Sequence, residues 1–476
     1  MDRYIVRPVV TPADALYGAG DGAGYGASYG AGYGAGEPVI VPVPGSKSIT
    51  NRALLIGALA FGRTVLERAL FSDDSRSLID CLEKLGFFIT YDEEKAEIVI
   101  TGCGGRIPAA EASLNVGNAG TAARFLTAVL AFSGGTYHLD AGEQIKKRPM
   151  KPLLDALAGL GVAVTYEGEE GHFPFTICGR GVRGGELSID TSVSSQFLSA
   201  LLMSAVLLPL GLTVHFTGER KAMPYVDMTV AMMAAFGVPV ARGDGEGADD
   251  GRTYIVKGQF PGIPPVYVSR RYQIEPDASA AGYFYAMAML TGKTVGVRGI
   301  HMAGGLQNDT MLLEVFREMG ALVQDTEEGT LLAGPGAFCY EGVHVNMNTF
   351  SDQMMTLAVV AAFTKSETII EGVGHTRFQE SDRMAAVAAE LVKLGAACEM
   401  TEDTLVITPI SRENFVAGSK NADDHIEIET YSDHRMAMAF SLAGLVVPGV
   451  EILDPGCVAK TFPEFYRVFE KAAYEV

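Results

Sequence analysis

The sequence predicts an α/β (α+β) protein of two lobes, each built from three β-α-β-α-β-β repeats, and two periodic patterns support this prediction. In the first pattern, small polar or acidic residues precede an apolar run, which is typical of a helix N-terminus. It occurs six times, at intervals of 71 to 82 residues, at Lys47, Asn118, Ser195, Asp277, Asp352 and Asp433. Because helix N-termini present N–H groups and partial positive charge, six such ends favour the binding of anions.

In the second pattern, a segment with apolar residues at helical spacing ends in glycine and is followed by two strand-like runs. Glycine just after a helix is a common C-cap, since a left-handed residue costs least without a Cβ. The glycines follow one another at 75 to 83 residues and are Gly86, Gly161, Gly237, Gly320 and Gly395. Together the two patterns predict a unit of strand, helix, strand, helix and two strands, repeated about six times.

The two ends of the chain complete this count of repeats. The pattern at 4–10 predicts a strand with no repeat of its own, whereas the last predicted helix, 462–473, lacks a following strand pair. We therefore expect the N-terminal strand to join the C-terminal lobe, which would comprise 1–13 and 273–476. The N-terminal lobe would span 45–272.

Residues 14–38 are rich in Gly, Ala and Tyr and predict a flexible insertion before the first repeat. The run contains Gly-x-Gly spacing, but no helical pattern follows it within a β-α-β unit. This context disfavours a dinucleotide site.

The composition excludes several classes of protein. A chain of 476 residues with 48% hydrophobic and 20% charged residues fits a globular protein of two domains. The formal net charge of −20 argues against nucleic acid and anionic membranes as partners. The six cysteines are scattered, and no signal-peptide pattern opens the chain. We expect a cytoplasmic monomer that acts on small anionic molecules and uses neither a metal nor a cofactor.

Charged residues at the predicted helix starts are the candidates for chemistry. Lys47 lies in the first turn of its helix, and Arg52 follows on the same helix. Glu380 and Arg383 share a helical face, as the members of solvated surface ion pairs often do. Taken singly, such cations are usually solvated, but their recurrence at matching points of the repeats favours a common anion site. No Ser/His/Asp arrangement stands out, so carboxylates and lysines are left as acid–base groups.

Two further helix starts carry small or uncharged residues. Gly120 could serve only to supply a positive φ, or it could clear space for backbone N–H groups to approach a carboxylate or phosphate. The run Ser194-Ser195-Gln196 offers two hydroxyls and an amide, a set suited to phosphate oxygens.

Eight motifs that run in order from Gly45 to Phe465 resemble those of the 5-enolpyruvylshikimate-3-phosphate synthase family. The motifs are GSKSITNRALL, GNAGTAARFL, KKRPMKPLLDAL, SSQFLSALLM, IEPDASAAGYF, QESDRMAAVAAEL, YSDHRMAMAFSL and DPGCVAKTFPEF. The resemblance implies the two-lobed, inside-out α/β barrel of the enolpyruvyltransferases. It also implies transfer of the enolpyruvyl group of phosphoenolpyruvate to the 5-hydroxyl of shikimate 3-phosphate, a step in the biosynthesis of aromatic amino acids.

The resemblance further implies a role for each matching residue. Asp352 would be the base for the hydroxyl, Glu380 the acid for the methylene carbon, and Lys47 would stabilise or protonate the departing phosphate. Residues implied to bind phosphoenolpyruvate are Lys47, Gly120, Arg148, Gln196, Arg383, Arg435 and Lys460. Residues implied to bind shikimate 3-phosphate are Lys47, Ser48, Arg52, Ser194, Ser195, Gln196, Asp352 and Gln379.

The chain departs from the family pattern at a few positions. Ala222 stands where many members have Ser, and Gln379 stands where many have Lys; both usual residues contact the phosphate of shikimate 3-phosphate. His375 replaces an Asn of some members. Gly120 is kept, which implies inhibition by glyphosate, although Phe125 stands where some members have Pro.

Two alternatives stay open at this point. The sister enolpyruvyltransferase acts on UDP-N-acetylglucosamine and carries a Cys (Asp in some members) in a loop for which this chain has 140–150, without Cys. A non-catalytic anion-binding homologue would not require the carboxylates Asp352 and Glu380.

Overall fold

The chain folds into two units in which helices and short strands alternate, as the repeats predict. One unit, called the N-terminal lobe below, is Gly45–Glu275; the other, the C-terminal lobe, combines Met1–Pro44 with Pro276–Val476. The computed structural model describes residues 2–10, 37–192, 194–220, 222–243, 251–258, 266–412, 415 and 425–475. The predicted insertion at 14–38 lies outside the described residues up to residue 36.

The described strands of the N-terminal lobe form three sheets of four strands each. In two of these sheets a strand pairs in parallel with the next strand of the chain, whereas in the third Phe61–Glu67 pairs in parallel with Arg271–Gln273, which comes much later in the chain. In all three sheets the second strand of a hairpin then pairs antiparallel with the other side of the central strand. In spatial order, the sheets are Glu111–Asn115, Thr136–Asp140, Phe175–Cys178 and Ala163–Tyr166; Gly185–Asp190, Gly211–Thr217, Thr253–Lys257 and Ala241–Arg242; and Arg271–Gln273, Phe61–Glu67, Glu97–Cys103 and Phe88–Asp92.

The described strands of the C-terminal lobe form two sheets of four strands and one of three. The N-terminal strand lies in the three-stranded sheet, where it runs antiparallel to Val450–Leu453 with Tyr4 opposite Ile452. In spatial order, the sheets are Leu322–Asp325, Gly329–Ala333, Thr294–Arg298 and Val39–Val41; His344–Asn346, Thr368–Glu371, Thr404–Thr408 and Ala397–Met400; and Arg3–Ile5, Val450–Leu453 and Ile426–Ile428.

A short strand precedes each chain crossing and belongs to the lobe that the chain is leaving. Val39–Val41 pairs in parallel with Thr294–Arg298 of the C-terminal lobe, just before the chain enters the N-terminal lobe. Arg271–Gln273 pairs in parallel with Phe61–Glu67 of the N-terminal lobe, just before the chain returns. Each crossing strand fills the place that the first strand of a repeat occupies in the other four-stranded sheets.

The first helix of each repeat is buried on nearly all sides and forms the centre of its lobe. These helices are Lys47–Leu59, Gly120–Phe132, Gln196–Ser204, Ala278–Thr291, Met354–Ala361 and His434–Ala443. Small and apolar residues allow this burial, as in Gly120–Phe132, whose 13 residues are all buried. All six predicted helix starts are confirmed to within a few residues.

The second helices lie outside the first and bury one face. They are Asp73–Lys84, Lys151–Gly159, Pro224–Ala235, Met311–Glu318, Arg383–Lys393 and Phe465–Tyr474, with a short additional helix at Glu143–Lys146. The five glycine C-caps are confirmed, because each of these glycines has a φ between 88° and 105°. No described helix is long and apolar enough to cross a membrane.

Candidate active site

A buried ion cluster lies in the C-terminal lobe, and Arg383 is at its centre. The Arg383 guanidinium lies 2.8 Å from Oδ2 of Asp433, 2.7 Å from Oε2 of Glu380 and 3.1 Å from Oδ1 of Asp352. The side chains of Arg383 and Glu380 are only 2% and 11% exposed. The alternative that Glu380 and Arg383 form a solvated surface pair is therefore wrong, and the pair is part of a buried network.

Two more cations join this cluster. Nη2 of Arg435 lies 2.6 Å from Oδ2 of Asp352, and Nζ of Lys460 lies 3.4 Å from Oε1 of Glu380. Both side chains are less than 10% exposed. Asp352 is thus held between two arginines, and Glu380 is held between an arginine and a lysine.

Local sequence explains why these side chains meet. Asp433 caps the helix His434–Ala443 by accepting a 3.0 Å hydrogen bond from the Arg435 N–H, which leaves its other oxygen for Arg383. Arg383 begins a helix capped by Asp382. Asp352 lies in the 3-10 turn Ser351–Gln353, directly before another buried helix. Three helix N-termini of one lobe therefore supply Asp433 with Arg435, Arg383 and Asp352, and Lys460 joins them from the end of the 3-10 helix Pro455–Lys460.

The cations and carboxylates of the cluster neutralise one another, and an incoming anion can replace the carboxylates as partners of the cations. Burial alone would lower the pKa of Arg383, but the carboxylates of Asp433, Glu380 and Asp352 outweigh it and raise the pKa above its ordinary value. The cluster thereby pairs three cations with three carboxylates among the described residues. An incoming anion with several oxygens would take over the hydrogen bonds of the cations, which releases the carboxylates for acid–base work.

A fourth carboxyl group lies close behind this cluster. Asp309 is 5% exposed and accepts a 2.9 Å hydrogen bond from the Ser279 hydroxyl. Burial and, to a lesser extent, the negative charge of Asp352 raise the pKa of Asp309 to about 7, against the opposing effect of Arg435. The sequence patterns did not single out this residue.

Gln379 and His375 also lie beside the cluster. The Gln379 side-chain oxygen accepts a hydrogen bond from Arg383. His375 is 5% exposed and lies with its Nε2 2.8 Å from the hydroxyl of Ser351, the residue before Asp352. The two positions that depart from the family pattern in this segment therefore contact the same elements as the predicted catalytic residues.

In the N-terminal lobe, Gly120 brings three polar side chains together. A Cβ at Gly120 would lie 3.2 Å from Arg124 Nη1, 3.4 Å from Arg148 Nη1 and 3.8 Å from Gln196 Oε1. Gly120 is not among the glycines with positive φ, so the alternative that it serves only to permit that conformation is wrong. The missing side chain instead leaves space in front of two arginines. Arg124, four residues into the same helix, was not predicted as a site residue.

Asn118 does not cap its helix as the pattern predicted, because the helix begins at Gly120 with Ala119 as the N-cap. Its side-chain oxygen instead accepts a 3.3 Å hydrogen bond from the N–H of Gln144. Asn118 thereby ties the helix start to the turn that leads to Arg148.

Lys47 lies beside a buried carboxylate. Its side chain is 14% exposed, and Nζ lies 3.4 Å from Oδ2 of Asp74, which the sequence analysis did not identify. Ser46, Ala119 and Ser195, which precede the three buried helices of this lobe, make no side-chain cap hydrogen bond. The cap side chains therefore do not occupy the N–H groups of these helix ends, as an anion site requires, although at the third end the N–H of Gln196 donates to the Ser194 hydroxyl.

Arg52 points into the protein. It is 1% exposed and donates to Thr229 Oγ1 at 2.7 Å, to the Ser48 carbonyl at 2.9 Å and to the Tyr225 carbonyl at 3.1 Å. Burial lowers its pKa to about 10. In this structure Arg52 holds the end of the helix Pro224–Ala235 against the Lys47 helix, which is a supporting contact.

The other predicted residues of this lobe, and the departure at Ala222, lie at or just before helix starts. The Ser194 hydroxyl accepts a 3.2 Å hydrogen bond from the N–H of Gln196, and Ser195 is the N-cap. Ser48 lies in the first turn of the Lys47 helix. Ala222 has a left-handed backbone with φ of 50°, just before the helix that Arg52 contacts.

Fold and site together define the class of this protein. Two lobes of α/β repeats, whose buried helix N-termini gather arginines, lysines and carboxylates, are the framework of an enzyme that performs acid–base chemistry on anionic substrates. Among the described residues no group of His, Cys, Asp and Glu side chains could hold a metal ion.

Comparisons with known proteins give the family. The family model of EPSP synthase (3-phosphoshikimate 1-carboxyvinyltransferase) matches residues 38–469. The 3-phosphoshikimate 1-carboxyvinyltransferase of Trichormus variabilis is 42% identical over 431 residues, which cover 90% of this chain and 95% of the relative. That of Mannheimia haemolytica is 40% identical over 435 residues, which cover 90% of this chain and 96% of the relative. The chain belongs to the EPSP synthase family of transferases.

A solved structure supports the fold separately. The structure of EPSP synthase from Acinetobacter baumannii has a TM-score of 0.72 to this chain at 24% sequence identity, covering 92% of this chain and 97% of that one. The predicted two-lobed fold of β-α-β-α-β-β repeats is thereby confirmed.

Proposed function

We propose that this chain transfers the enolpyruvyl group of phosphoenolpyruvate to the 5-hydroxyl of shikimate 3-phosphate and releases phosphate. The observation that carries the proposal is the buried cluster in which Asp352 and Glu380 each contact two cations. Such a cluster holds a base and an acid next to the groups that bind a phosphate and a carboxylate. The family membership supplies the reaction.

The reaction divides into an addition and an elimination. Asp352 accepts the proton of the 5-hydroxyl as its oxygen attacks C2 of phosphoenolpyruvate, and Glu380 donates a proton to C3, which becomes a methyl group. In the second half that methyl group loses a proton, the C2–O bond to phosphate breaks, and Lys47 stabilises or protonates the leaving phosphate. Protons and electrons balance over the two halves.

The binding residues are proposed lobe by lobe. In the N-terminal lobe, Lys47, Gly120, Arg148 and Gln196 contact phosphoenolpyruvate; in the C-terminal lobe, Arg383, Arg435 and Lys460 do so. The residues proposed to contact shikimate 3-phosphate are Lys47, Ser48, Arg52, Ser194, Ser195, Gln196, Asp352 and Gln379. Arg52 can take this role only if its guanidinium exchanges a protein carbonyl for a substrate oxygen.

The sister activity on UDP-N-acetylglucosamine is the second candidate, and the segment 140–150 argues against it because it has no cysteine. A non-catalytic role is disfavoured because burying Asp352 and Glu380 among cations would weaken simple anion binding. We also propose that the chain acts as a monomer in the cytoplasm; analytical ultracentrifugation of the purified chain tests the monomer.

A turnover assay tests the proposed function. Phosphate release from phosphoenolpyruvate is measured with shikimate 3-phosphate, with UDP-N-acetylglucosamine and with no acceptor, in the presence of a chelator and with no other nucleotide added. We expect release only with shikimate 3-phosphate. Release with UDP-N-acetylglucosamine but not with shikimate 3-phosphate would overturn the proposal in favour of the sister activity. Absence of release with both acceptors would overturn it in favour of the non-catalytic homologue.

A further inference from the structure

A buried glutamate lies in the C-terminal lobe, away from the ion cluster around Arg383. Glu390 is fully buried two turns along the helix that Arg383 begins. Its Oε2 accepts a 3.1 Å hydrogen bond from the N–H of Glu429 and lies 2.6 Å from Nζ of Lys393, and its Oε1 accepts a 2.9 Å hydrogen bond from the Tyr431 hydroxyl. Burying a carboxylate costs free energy unless it is paired and hydrogen-bonded. The three groups that pair with Glu390 are therefore the groups that it holds in place.

The held segment has an unusual backbone. Tyr431 and Ser432 both adopt left-handed conformations, with φ of 54° and 53°. Residues with a Cβ rarely take this conformation, and two in succession persist only where the surroundings hold them. The segment leads directly into Asp433 and Arg435, so its backbone determines where these two side chains of the cluster lie.

One helix therefore holds this segment at two places. At its first residue, the Arg383 guanidinium contacts the Asp433 carboxylate at 2.8 Å. Two turns further on, Glu390 holds the backbone of residue 429 and the ring of Tyr431. Fixing a chain before and after a strained pair defines the direction in which the following helix starts.

We propose that Glu390 is a positioning residue, which acts through Tyr431 and the left-handed pair to set the place of Arg435. The inference rests on the proposed function, because Arg435 is there assigned to phosphoenolpyruvate. Glu390 does not contact substrate. Without it, the strained pair relaxes, Arg435 leaves Asp352 for part of the time, and only the remaining fraction of molecules binds phosphoenolpyruvate well.

The chemistry of Tyr431 fits this arrangement. Burial, the hydrogen bond to Glu390 and its negative charge raise the pKa of Tyr431 to about 12, so the hydroxyl stays protonated and donates to the carboxylate. A glutamine at position 390 can keep both links, since its oxygen can accept from the N–H of Glu429 and its amide can donate to the Tyr431 oxygen. Alanine keeps neither.

The test compares Glu390→Ala, Glu390→Gln and Tyr431→Phe with the control Tyr340→Phe. The control removes a buried tyrosine hydroxyl of the same lobe, which donates 3.1 Å to the Val360 carbonyl, away from the 429–435 segment. Because apparent affinity falls with the fraction of competent molecules, we expect Glu390→Ala to raise KM for phosphoenolpyruvate about tenfold. We expect Tyr431→Phe to raise it about threefold, by loss of one of the two links.

Glu390→Gln and Tyr340→Phe should stay within about twofold of the parent KM. Unchanged KM in a folded Glu390→Ala, or an equal rise in Tyr340→Phe, would overturn the proposal in favour of a purely structural role. If Glu390→Ala does not fold, Tyr431→Phe against Tyr340→Phe decides by the same criterion.

A second readout separates this proposal from the proposed function. The NMR signal of the Arg435 guanidinium, assigned through Arg435→Lys, reports its hydrogen bond to Asp352 without turnover. We expect that signal in the parent and in Glu390→Gln, and expect it to shift or broaden in Glu390→Ala. If these NMR signals are found but the parent protein shows no enolpyruvyl transfer, the proposed activity is refuted and the positioning role stands. If the Arg435 signal is unchanged in Glu390→Ala, the positioning role alone is refuted.

Discussion

Arg435 Nη2 donates a 2.6 Å hydrogen bond to Oδ2 of Asp352, so the proposed base is paired with a residue proposed to bind phosphoenolpyruvate. Arg383 occupies the other carboxylate oxygen at 3.1 Å. A base whose two oxygens both accept from arginines is held in place, and those oxygens are occupied until the arginines move. Substrate that draws both guanidinium groups toward its own oxygens would therefore position itself and free the base in one exchange.

Asp352→Asn tests this exchange. Asparagine keeps the shape but cannot take up the hydroxyl proton, so we expect kcat to fall by about 10²-fold or more. Because the variant also removes a negative charge that competes for Arg435 and Arg383, KM for phosphoenolpyruvate should not rise. Steady-state kinetics separates the two effects, and a rise in that KM with little loss of kcat would show that Asp352 only orders the arginines.

Glu380→Gln should bind both substrates and lose most of its turnover. The substitution removes the proposed proton donor to the methylene carbon and keeps the side-chain volume, so kcat should fall by about 10²-fold or more. The matched control is Glu314→Gln, which alters an exposed pair with Arg317 at the same three-residue spacing and should leave kcat unchanged. A Glu380→Gln enzyme as fast as the control would reduce Glu380 to an ion-pair partner of Arg383.

Gly120→Ala should reduce inhibition by glyphosate more than it damages the use of phosphoenolpyruvate. The added methyl group would lie 3.2 Å from Arg124 and 3.4 Å from Arg148, in the space where a bulkier inhibitor suffers more than the compact substrate. Gly159→Ala serves as the control, because a Cβ there meets nothing within 4 Å. An equal change in the inhibition constant and in KM would count against a site in front of Gly120.

Asp309 should make the stability of the C-terminal lobe depend on pH. Its pKa is about 7 in the folded protein against an ordinary 3.8, so the folded state keeps a proton that the unfolded state has lost between these values. The stabilisation present at low pH is therefore lost as pH rises toward 7. Asp309→Asn does not titrate, so its free energy of unfolding relative to the parent should rise by ~1 kcal/mol per pH unit across this range. Urea unfolding between about pH 4 and 7 measures the difference, and a constant difference would contradict the account.

The sequence could predict the repeats because their signals are local. A glycine such as Gly86 ends a helix through its own backbone, and a run of apolar residues after Asp277 or Asp433 predicts a helix without reference to distant residues. The same signals placed Lys47, Gly120 and Arg435 at helix starts. The residue-by-residue roles came from eight family motifs.

Local patterns of this kind could not predict contacts between segments that are far apart in the sequence. Asp74 pairs with Lys47, and Asp309 interacts with Asp352. In each case the two residues lie on different helices or turns, and neither Asp74 nor Asp309 belongs to a recognised motif. Arg52 lies on the helix of Lys47, yet its burial depends on Thr229 and Tyr225, far along the chain. Burial of a charge is decided by what packs on it, which periodicity in one helix does not report.

The central claim is that the C2–O bond of phosphoenolpyruvate breaks and its carbon skeleton moves to the acceptor. Phosphoenolpyruvate labelled with ¹⁸O in the bridging position tests this directly when turned over with shikimate 3-phosphate. Mass spectrometry of the released phosphate should find the label there, since enolpyruvyl transfer leaves the bridging oxygen on phosphorus. Unlabelled phosphate, with the ¹⁸O retained in pyruvate, would show cleavage of the P–O bond and contradict the account.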